Sequence, residues 1–172
     1  MWVENPAQTL NLYIDLKTPG AATLPVVIAA LEPLRKKGYL TTPEKQGAVT
    51  VHLTGDTPFD AMIALPNRDV FFDAPLTELH TGRDNSSNSR MGTVRFSEVV
   101  GRVLLHGGTM TREMDEVVKG QVKEAHGLGI GVRYWDTPGW PRGVREGVWV
   151  RLVELGVDLL NVDDLERARE FV

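Results

Sequence analysis

An acid and a base lie two positions apart in the stretch LYIDLKTPG, and together they could handle a phosphate group. Successive side chains of a strand alternate between its faces, so Asp15 and Lys17 share one face. Leu12, Ile14 and Leu16 make the opposite face aliphatic. A carboxylate can bind a hard cation and an ammonium group can stabilise phosphate charge. The alternative is an ordinary ion pair on an edge strand.

Composition limits the classes of partner. The chain has 172 residues, 42% of them hydrophobic, which is enough for a domain with a core. Its net charge of -4 gives no electrostatic reason to expect nucleic acid or an anionic membrane surface as a partner. The absence of cysteine excludes disulfides and thiolate zinc sites. We expect no nucleic-acid partner and no transmembrane segment, and we find no signal that indicates a compartment.

Strand patterns alternate with helix patterns along the chain. The predicted strands cover residues 9–17, 48–54, 69–73, 92–96, 130–135 and 157–163. A helix opened by Thr23 and Pro25 ends at the basic run 35–37, and further helices are predicted over residues 56–62, 97–105, 111–127, 141–155 and 164–171. This alternation predicts an α/β fold of parallel strands with helical crossovers. A barrel and a doubly wound sheet both fit, but no GxGxxG motif follows a strand.

Polar residues gather where the predicted strands end, which is where parallel barrels place their active sites. Within each strand these residues share one face, so we expect them to converge. Each has a structural alternative: Asp73 could cap the turn at Pro75, and Trp135 could belong to the core. The candidates are Asp15, Lys17, Asp73, Arg133, Trp135, Asn161 and Asp163.

The four histidines do not form a metal-binding motif. No two of them have HxH or HExxH spacing. His52 lies in a predicted strand and could face the interior, whereas His126 falls in the last turn of a helix, where a cation suits the dipole. Structural roles are favoured for all four.

Seven stretches occur in the order expected for one family. They are LYIDLKTPG, LEPLRKKGYL, TGDTPFD, NRDVFFDAPL, DNSSNS, VRYWDTPGWP and GVDLLNVDDL. In these stretches the chain resembles the altered inheritance of mitochondria protein 6 family, which is grouped with the phospholipase C-like and glycerophosphodiester phosphodiesterases. The resemblance implies a (β/α)8 TIM barrel that hydrolyses a phosphodiester, with a phospholipid or a glycerophosphodiester as substrate.

The resemblance also implies roles for particular residues. Lys17 resembles the catalytic lysine that stabilises charge on the phosphate, and Asp15 resembles an acidic ligand of a divalent cation, Mg²⁺ or Ca²⁺. Trp135 resembles an aromatic wall of the pocket. Asp136 takes a position that is often polar or acidic in relatives. The candidate substrate contacts are Asp73, Arg133, Trp135, Asp136, Asn161 and Asp163.

The chain departs from the family pattern at its start. Relatives carry an HSHND-like motif, a Glu-x-Asp strand and a second histidine, and this sequence has none of them. We therefore expect residues 1–172 to form a single partial domain, an incomplete TIM barrel of about six strand–helix units that corresponds to roughly the C-terminal two-thirds of the family domain. Metal binding should be weak or absent in such a chain.

Two functional hypotheses follow. The first is a metal-dependent phosphoric diester hydrolase that is inactive as this chain stands. The second is a non-catalytic barrel remnant that binds a phosphate ligand or a protein partner. In either case the strand edges left free by an incomplete barrel predict self-association.

Overall fold

The computed structural model describes residues 8–171 and shows two sets of three parallel strands. Contacts divide the chain into two units. The first runs to Asp73 and includes Asn85–Arg90, and the second comprises Ala74–Asp84 and the chain from Met91.

The first unit alternates strands with short helices. Its elements are β1 (Leu10–Leu16), α1 (Gly20–Ala30), α2 (Glu32–Lys36), β2 (Val49–Gly55), α3 (Phe59–Ile63) and the start of β3 (Phe71–Pro75). β1 pairs with β2 over seven residues, from Leu10 opposite Val49 to Leu16 opposite Gly55. β2 pairs in parallel with β3.

The aliphatic face of β1 belongs to the core of the first unit. Leu16 is buried in one cluster with Leu24 and Leu31 of the helical segment, and Leu12 and Ile14 pack against that cluster. Residues of the other parity, including Asp15, therefore lie on the opposite face of the strand. The predicted division of this strand into an aliphatic and a charged face is confirmed.

The second unit repeats the same alternation. It contains a 3-10 helix (Leu76–Thr81), β4 (Met91–Arg95), α4 (Phe96–Val99), a second 3-10 helix (Val103–His106), α5 (Arg112–Gly127), β5 (Gly131–Trp135), α6 (Arg142–Glu154), β6 (Leu159–Leu160) and α7 (Leu165–Phe171). β5 pairs in parallel with β4 on one side and β6 on the other.

Helix α5 follows its sequence pattern closely. Thr111 caps it by accepting a 3.3 Å hydrogen bond from the backbone N–H of Met114. The helix packs against β5, where the buried Tyr134 donates its hydroxyl to Gln121 Oε1 at 2.6 Å. Burial raises the pKa of Tyr134, so this hydroxyl keeps its proton and remains a donor.

A partly buried ion pair joins α5 to α6. Arg151 Nη2 lies 2.5 Å from Asp115 Oδ2, and Arg151 Nε donates to both carboxylate oxygens at 3.1 Å. These hydrogen bonds lower the pKa of the Asp115 carboxyl, although its burial acts in the opposite direction.

We expect this pair to make the chain sensitive to acid. Because the pKa of Asp115 is lower in the folded state, its contribution to stability is present above the unfolded pKa of about 4 and is lost as the pH falls through the folded pKa. In Asp115→Asn that loss should be absent. Thermal unfolding should therefore show a smaller fall in Tm for Asp115→Asn than for the wild type between neutral pH and about pH 3. Equal falls would contradict this role.

The α/β class and the parallel strands are confirmed, whereas the incomplete TIM barrel and the single partial domain remain predictions. Two helix predictions were wrong. The segment predicted as one helix up to the basic run 35–37 forms two helices, α1 and α2. Instead of one helix over residues 97–105, α4 ends at Val99 and a separate 3-10 helix begins at Val103, because the backbone of Gly101 turns to a φ of 108° between them.

Two boundary predictions also need correction. Helix α1 begins at Gly20, and Thr23 does not cap it but donates its hydroxyl to the carbonyl of Pro19 at 3.2 Å. β6 covers Leu159–Leu160 and not residues 157–163. Within residues 8–171, no helix is both long and apolar enough to cross a bilayer.

Candidate functional site

Asp15 and Lys17 form an ion pair in the first unit. Lys17 Nζ lies 2.5 Å from Asp15 Oδ2, at the C-terminal end of β1. The Lys17 side chain is 81% exposed and that of Asp15 is 43% exposed. An ion pair this exposed contributes little to stability, because water screens it. The ammonium group can therefore exchange its partner for an anionic ligand.

Glycine makes room for this carboxylate. Gly55 ends β2 opposite Leu16, and a Cβ on it would lie 2.3 Å from Asp15 Oδ1. Its φ of 70° also belongs to the left-handed region that glycine favours. Gly55, in the stretch TGD, therefore contributes to the site because it has no side chain. This role was not predicted from the sequence.

A second glycine holds the loop after β1 against the loop after β2. Gly20 is buried, and its backbone N–H donates to Asp56 Oδ2 at 2.8 Å. The backbone N–H of Asp56 donates in turn to the carbonyl of Leu16 at 2.9 Å. These bonds fix the turn that follows Lys17.

His52 belongs to the face of the sheet that carries Asp15. It lies opposite Tyr13 in the strand register, and the two rings stack with centroids 4.6 Å apart. Its Nε2 is 2.9 Å from Asn11 Oδ1. The side chain is completely buried, so the structural role favoured for this histidine fits its surroundings.

Asp15, the predicted metal ligand, belongs to no cluster of possible metal ligands within the described part of the chain. Asp15 offers one carboxylate, and that carboxylate is already paired with Lys17. Among the described residues, no group of three or more histidine, aspartate or glutamate side chains is gathered where it could hold a metal ion. Residues 8–171 therefore do not fit a complete cation site. We derive no chemical step through a metal, and the role of Asp15 as a ligand stays a prediction.

Asp73 is buried within β3 of the same unit. Its predicted role in substrate binding stays a prediction. The nearby acid Asp69 has a structural role, since its carboxylate accepts two hydrogen bonds from Arg35, from Nε at 2.5 Å and from Nη2 at 3.1 Å.

In the second unit, the structure pairs two of the predicted substrate contacts. Arg133 of β5 donates a hydrogen bond from Nη2 to Asn161 Oδ1. Asn161 and Asp163 lie beyond the short β6, so the face alternation used to group them does not apply there. Asp163 is exposed.

Trp135 and Asp136 form a second polar group at the end of β5. The guanidinium of Arg95 lies 4.3 Å from the Trp135 ring centroid, and Arg95 Nε is 3.6 Å from Asp136 Oδ2. Ser97 donates its hydroxyl to the same carboxylate oxygen at 2.7 Å. Asp136 adopts a φ of 58°, which is uncommon for a residue other than glycine.

Arg95 and Ser97 were not among the residues predicted from the sequence. Arg95 ends β4 and is paired with Trp135 in the parallel register, so the criterion of polar residues at strand ends would have found it. Ser97 lies in α4, two residues after the end of the strand, and gave no comparable signal.

Comparison with known proteins bears on these residues. Residues 1–73 match the AIM6-like phosphodiesterase domain. Nearly the whole chain is similar to curated proteins. The altered inheritance of mitochondria protein 6 homolog of Arthroderma benhamiae is 39% identical over 95% of this chain and 54% of its own length. The Lachancea thermotolerans and Eremothecium gossypii proteins of that name are 33% and 31% identical, each over 96% of this chain, and 45% and 47% of their own lengths are covered.

The resemblance to the altered inheritance of mitochondria protein 6 family is confirmed. The matched segment contains Asp15 and Lys17, and the match indicates a phosphodiesterase-like family. The chain spans about half the length of the curated relatives it matches. No solved structure matches it significantly.

Proposed function

We propose that the chain takes part in the hydrolysis of a phosphoric diester, with Lys17 as the cation that stabilises charge on the phosphoryl group. One observation carries the proposal. Lys17 stands exposed at a strand end, held by a weak ion pair, inside the segment that matches a phosphodiesterase domain. Active sites of parallel α/β proteins lie at such strand ends.

The chemistry required of Lys17 is electrostatic. Hydrolysis adds water across a P–O bond, and negative charge develops on the phosphoryl and leaving oxygens in the transition state. An ammonium group aimed at those oxygens stabilises this charge more than that of the ground state. Asp15 lies 2.5 Å from Nζ, so the ammonium group has to exchange this carboxylate for the phosphate oxygens when the ligand binds.

The residues of the second unit are proposed, by themselves, as contacts to a phosphate-bearing ligand. Arg133 and Asn161 bond to each other, and Trp135 lies beneath the guanidinium of Arg95 beside Asp136. A guanidinium group can donate two parallel hydrogen bonds to two oxygens of one phosphate, and stacking on an aromatic ring fixes the plane of the guanidinium group. Asp73 and Asp163 stay in the proposal on the sequence evidence alone.

The alternative is binding of a phosphate ligand without turnover. It is favoured by the pairing of the one predicted metal ligand, Asp15, with Lys17. Both functions require the Lys17 ammonium, so its removal tests what they share, and turnover separates them.

Lys17→Ala should weaken the binding of a phosphodiester by about tenfold or more, because a charge-assisted contact to phosphate is lost. Calorimetric titration with bis(4-nitrophenyl) phosphate measures this. Lys45→Ala, which removes another exposed lysine of the first unit, is the matched control and should bind as the wild type does. Unchanged affinity of Lys17→Ala would reject the proposed role.

Asp15→Asn should change the affinity for the phosphodiester in the opposite direction to Lys17→Ala. Without metal it should bind the phosphodiester more tightly than the wild type, because Lys17 is released from its partner. In Mg²⁺ it should bind less tightly if Asp15 is a metal ligand. Release of nitrophenol by the wild type, lowered about a hundredfold in Lys17→Ala, supports the hydrolase and contradicts the expectation that this chain is inactive as it stands. Binding without release is the result expected for the alternative and for a hydrolase domain that is inactive as this chain stands.

A further inference from the structure

The second unit contains a cleft beside its candidate contacts. The cleft has a volume of about 500 Å³ and lies between the segment that follows β4 and the segment that follows β5. Phe96, Ser97 and Asp136 line it, so it borders the polar group formed with Trp135 and Arg95.

The rim of this cleft exposes large apolar side chains. Leu104 is 55% exposed, Leu105 is 77% exposed and Trp140 is 76% exposed, although all three line the cleft. Leaving such side chains in water is unfavourable, and apolar patches that are rimmed by polar residues mark sites of interaction. These three residues are called the apolar rim below.

The backbone fixes the segment that carries the two leucines. Gly101 and Gly107, on either side of the 3-10 helix Val103–His106, adopt φ values of 108° and 73°. The backbone N–H of Gly108 donates to the carbonyl of Val103 at 3.1 Å. The leucines are therefore displayed by a defined turn.

The polar residues beside the apolar rim indicate what it contacts. Arg102 lines the cleft next to Leu104, is exposed, and makes no ion pair within residues 8–171. Arg142, two residues after Trp140, is exposed but already pairs with Glu146 at 2.7 Å, so Arg102 is the cation that the patch offers. Tryptophan, leucine and arginine occur together on protein surfaces that bind at a membrane interface. There the indole ring and the aliphatic side chains enter the edge of the acyl region, and the guanidinium group contacts lipid phosphate.

We propose that the apolar rim docks on the surface of a phospholipid membrane, with Leu104, Leu105 and Trp140 inserted at the interface and Arg102 on an anionic headgroup. The net charge of -4 does not attract the whole chain to such a surface, so the contact depends on this local patch. The inference rests on the proposed function for one point: it makes a membrane phospholipid, and not a soluble glycerophosphodiester, the substrate class.

Flotation with vesicles tests the docking surface. The chain is mixed with vesicles of phosphatidylcholine and phosphatidylserine and then centrifuged through a density gradient, where unbound protein and its self-associated forms stay at the bottom. The wild type should float. The double variant Leu105→Ser with Trp140→Ser should bind about tenfold more weakly or worse, because two inserted side chains are lost. Arg102→Gln should weaken binding to these vesicles more than to phosphatidylcholine alone.

Leu165→Ser is the matched control. Leu165 is 75% exposed in the same unit but lies in α7 and does not line the cleft, so its loss should leave flotation unchanged. Circular dichroism checks that each variant is folded, which is expected because the substituted side chains are exposed.

The outcomes separate this inference from the proposed function. A wild type that stays at the bottom, or a double variant that floats as the wild type does, overturns the membrane surface whatever Lys17 does. A change of oligomeric mass in the double variant without flotation of the wild type would assign the rim to contacts between copies. If Lys17→Ala binds bis(4-nitrophenyl) phosphate normally but floats with the wild type, the proposed function fails and the membrane surface stands.

Discussion

Gly20→Ala is expected to destabilise the first unit by about 2–3 kcal/mol or more, because the added methyl group has no space. A Cβ at this position would lie 1.6 Å from the carbonyl oxygen of Asp56 and 2.8 Å from Pro58 Cδ. The nearest atom belongs to the backbone, so it cannot move aside by changing a rotamer. The hydrogen bonds between Gly20 and Asp56 and between Asp56 and Leu16 would have to lengthen or break.

Unfolding in urea measures this effect. Gly120→Ala is the matched control, since Gly120 lies inside α5 and a Cβ there meets nothing within 4 Å. That variant should be more stable than the wild type by roughly 0.5–1 kcal/mol, because alanine is the better helix former. If Gly20→Ala unfolds at the same urea concentration as the wild type, the close approach of the two loops does not exist in solution.

The variant also connects stability to function. Gly20 fixes the turn after Lys17 through its contact with Asp56, so displacement of the turn should weaken phosphodiester binding even where the chain remains folded. Gly120→Ala should leave that affinity unchanged. Urea unfolding and phosphodiester affinity together distinguish unfolding of the chain from displacement of Lys17 in a folded chain.

Periodicity predicted the elements that have strong local signals. The α5 helix has a cap at Thr111 and an amphipathic pattern, and the structure places it over Arg112–Gly127. The β1 strand has strict alternation and its aliphatic face reaches the core. In both elements the local preference and the tertiary packing agree, which is the condition under which patterns are reliable.

Prediction failed where backbone conformation alone decides the structure. Residues 97–105 have apolar spacing that suits a helix, but Gly101 takes a φ outside the helical region and divides the segment. The 3-10 helix Leu76–Thr81 carries no periodic signal, because its few residues follow a strand directly.

Only the part of the candidate site that depends on local sequence was predicted. Alternation along the predicted strand 9–17 was sufficient to place Asp15 and Lys17 together, although β1 itself ends at Leu16 and Lys17 follows it directly. The contributions of Gly55 and Arg95 depend on which strands are neighbours and in what register, and that information is not local.

Self-association is the second large effect that we expect. Among the described residues β1 pairs with β2 on one side only, and Leu10 is 45% exposed. Helix α1, with the sequence GAATLPVVIAA, contains no charged residue, yet its Val26 is 67% exposed. A helix that is apolar all round is normally buried, and an open strand edge offers unpaired backbone groups to another chain.

A second copy of the chain can satisfy both features. Its β1 edge can supply the missing backbone hydrogen bonds, and contact between copies can cover the apolar side chains of α1. We therefore expect size-exclusion chromatography with light scattering to give a mass of at least about two chains, rising with concentration.

The double variant Leu10→Lys with Val26→Glu should shift the mass towards one chain, because charge on a strand edge and on an apolar face opposes association. Val153→Glu is the control, since Val153 is 52% exposed in α6 of the second unit and should leave the mass unchanged. A wild type that is monomeric at every concentration would show that neither feature drives association. An unchanged mass in the double variant would place the contact elsewhere on the chain.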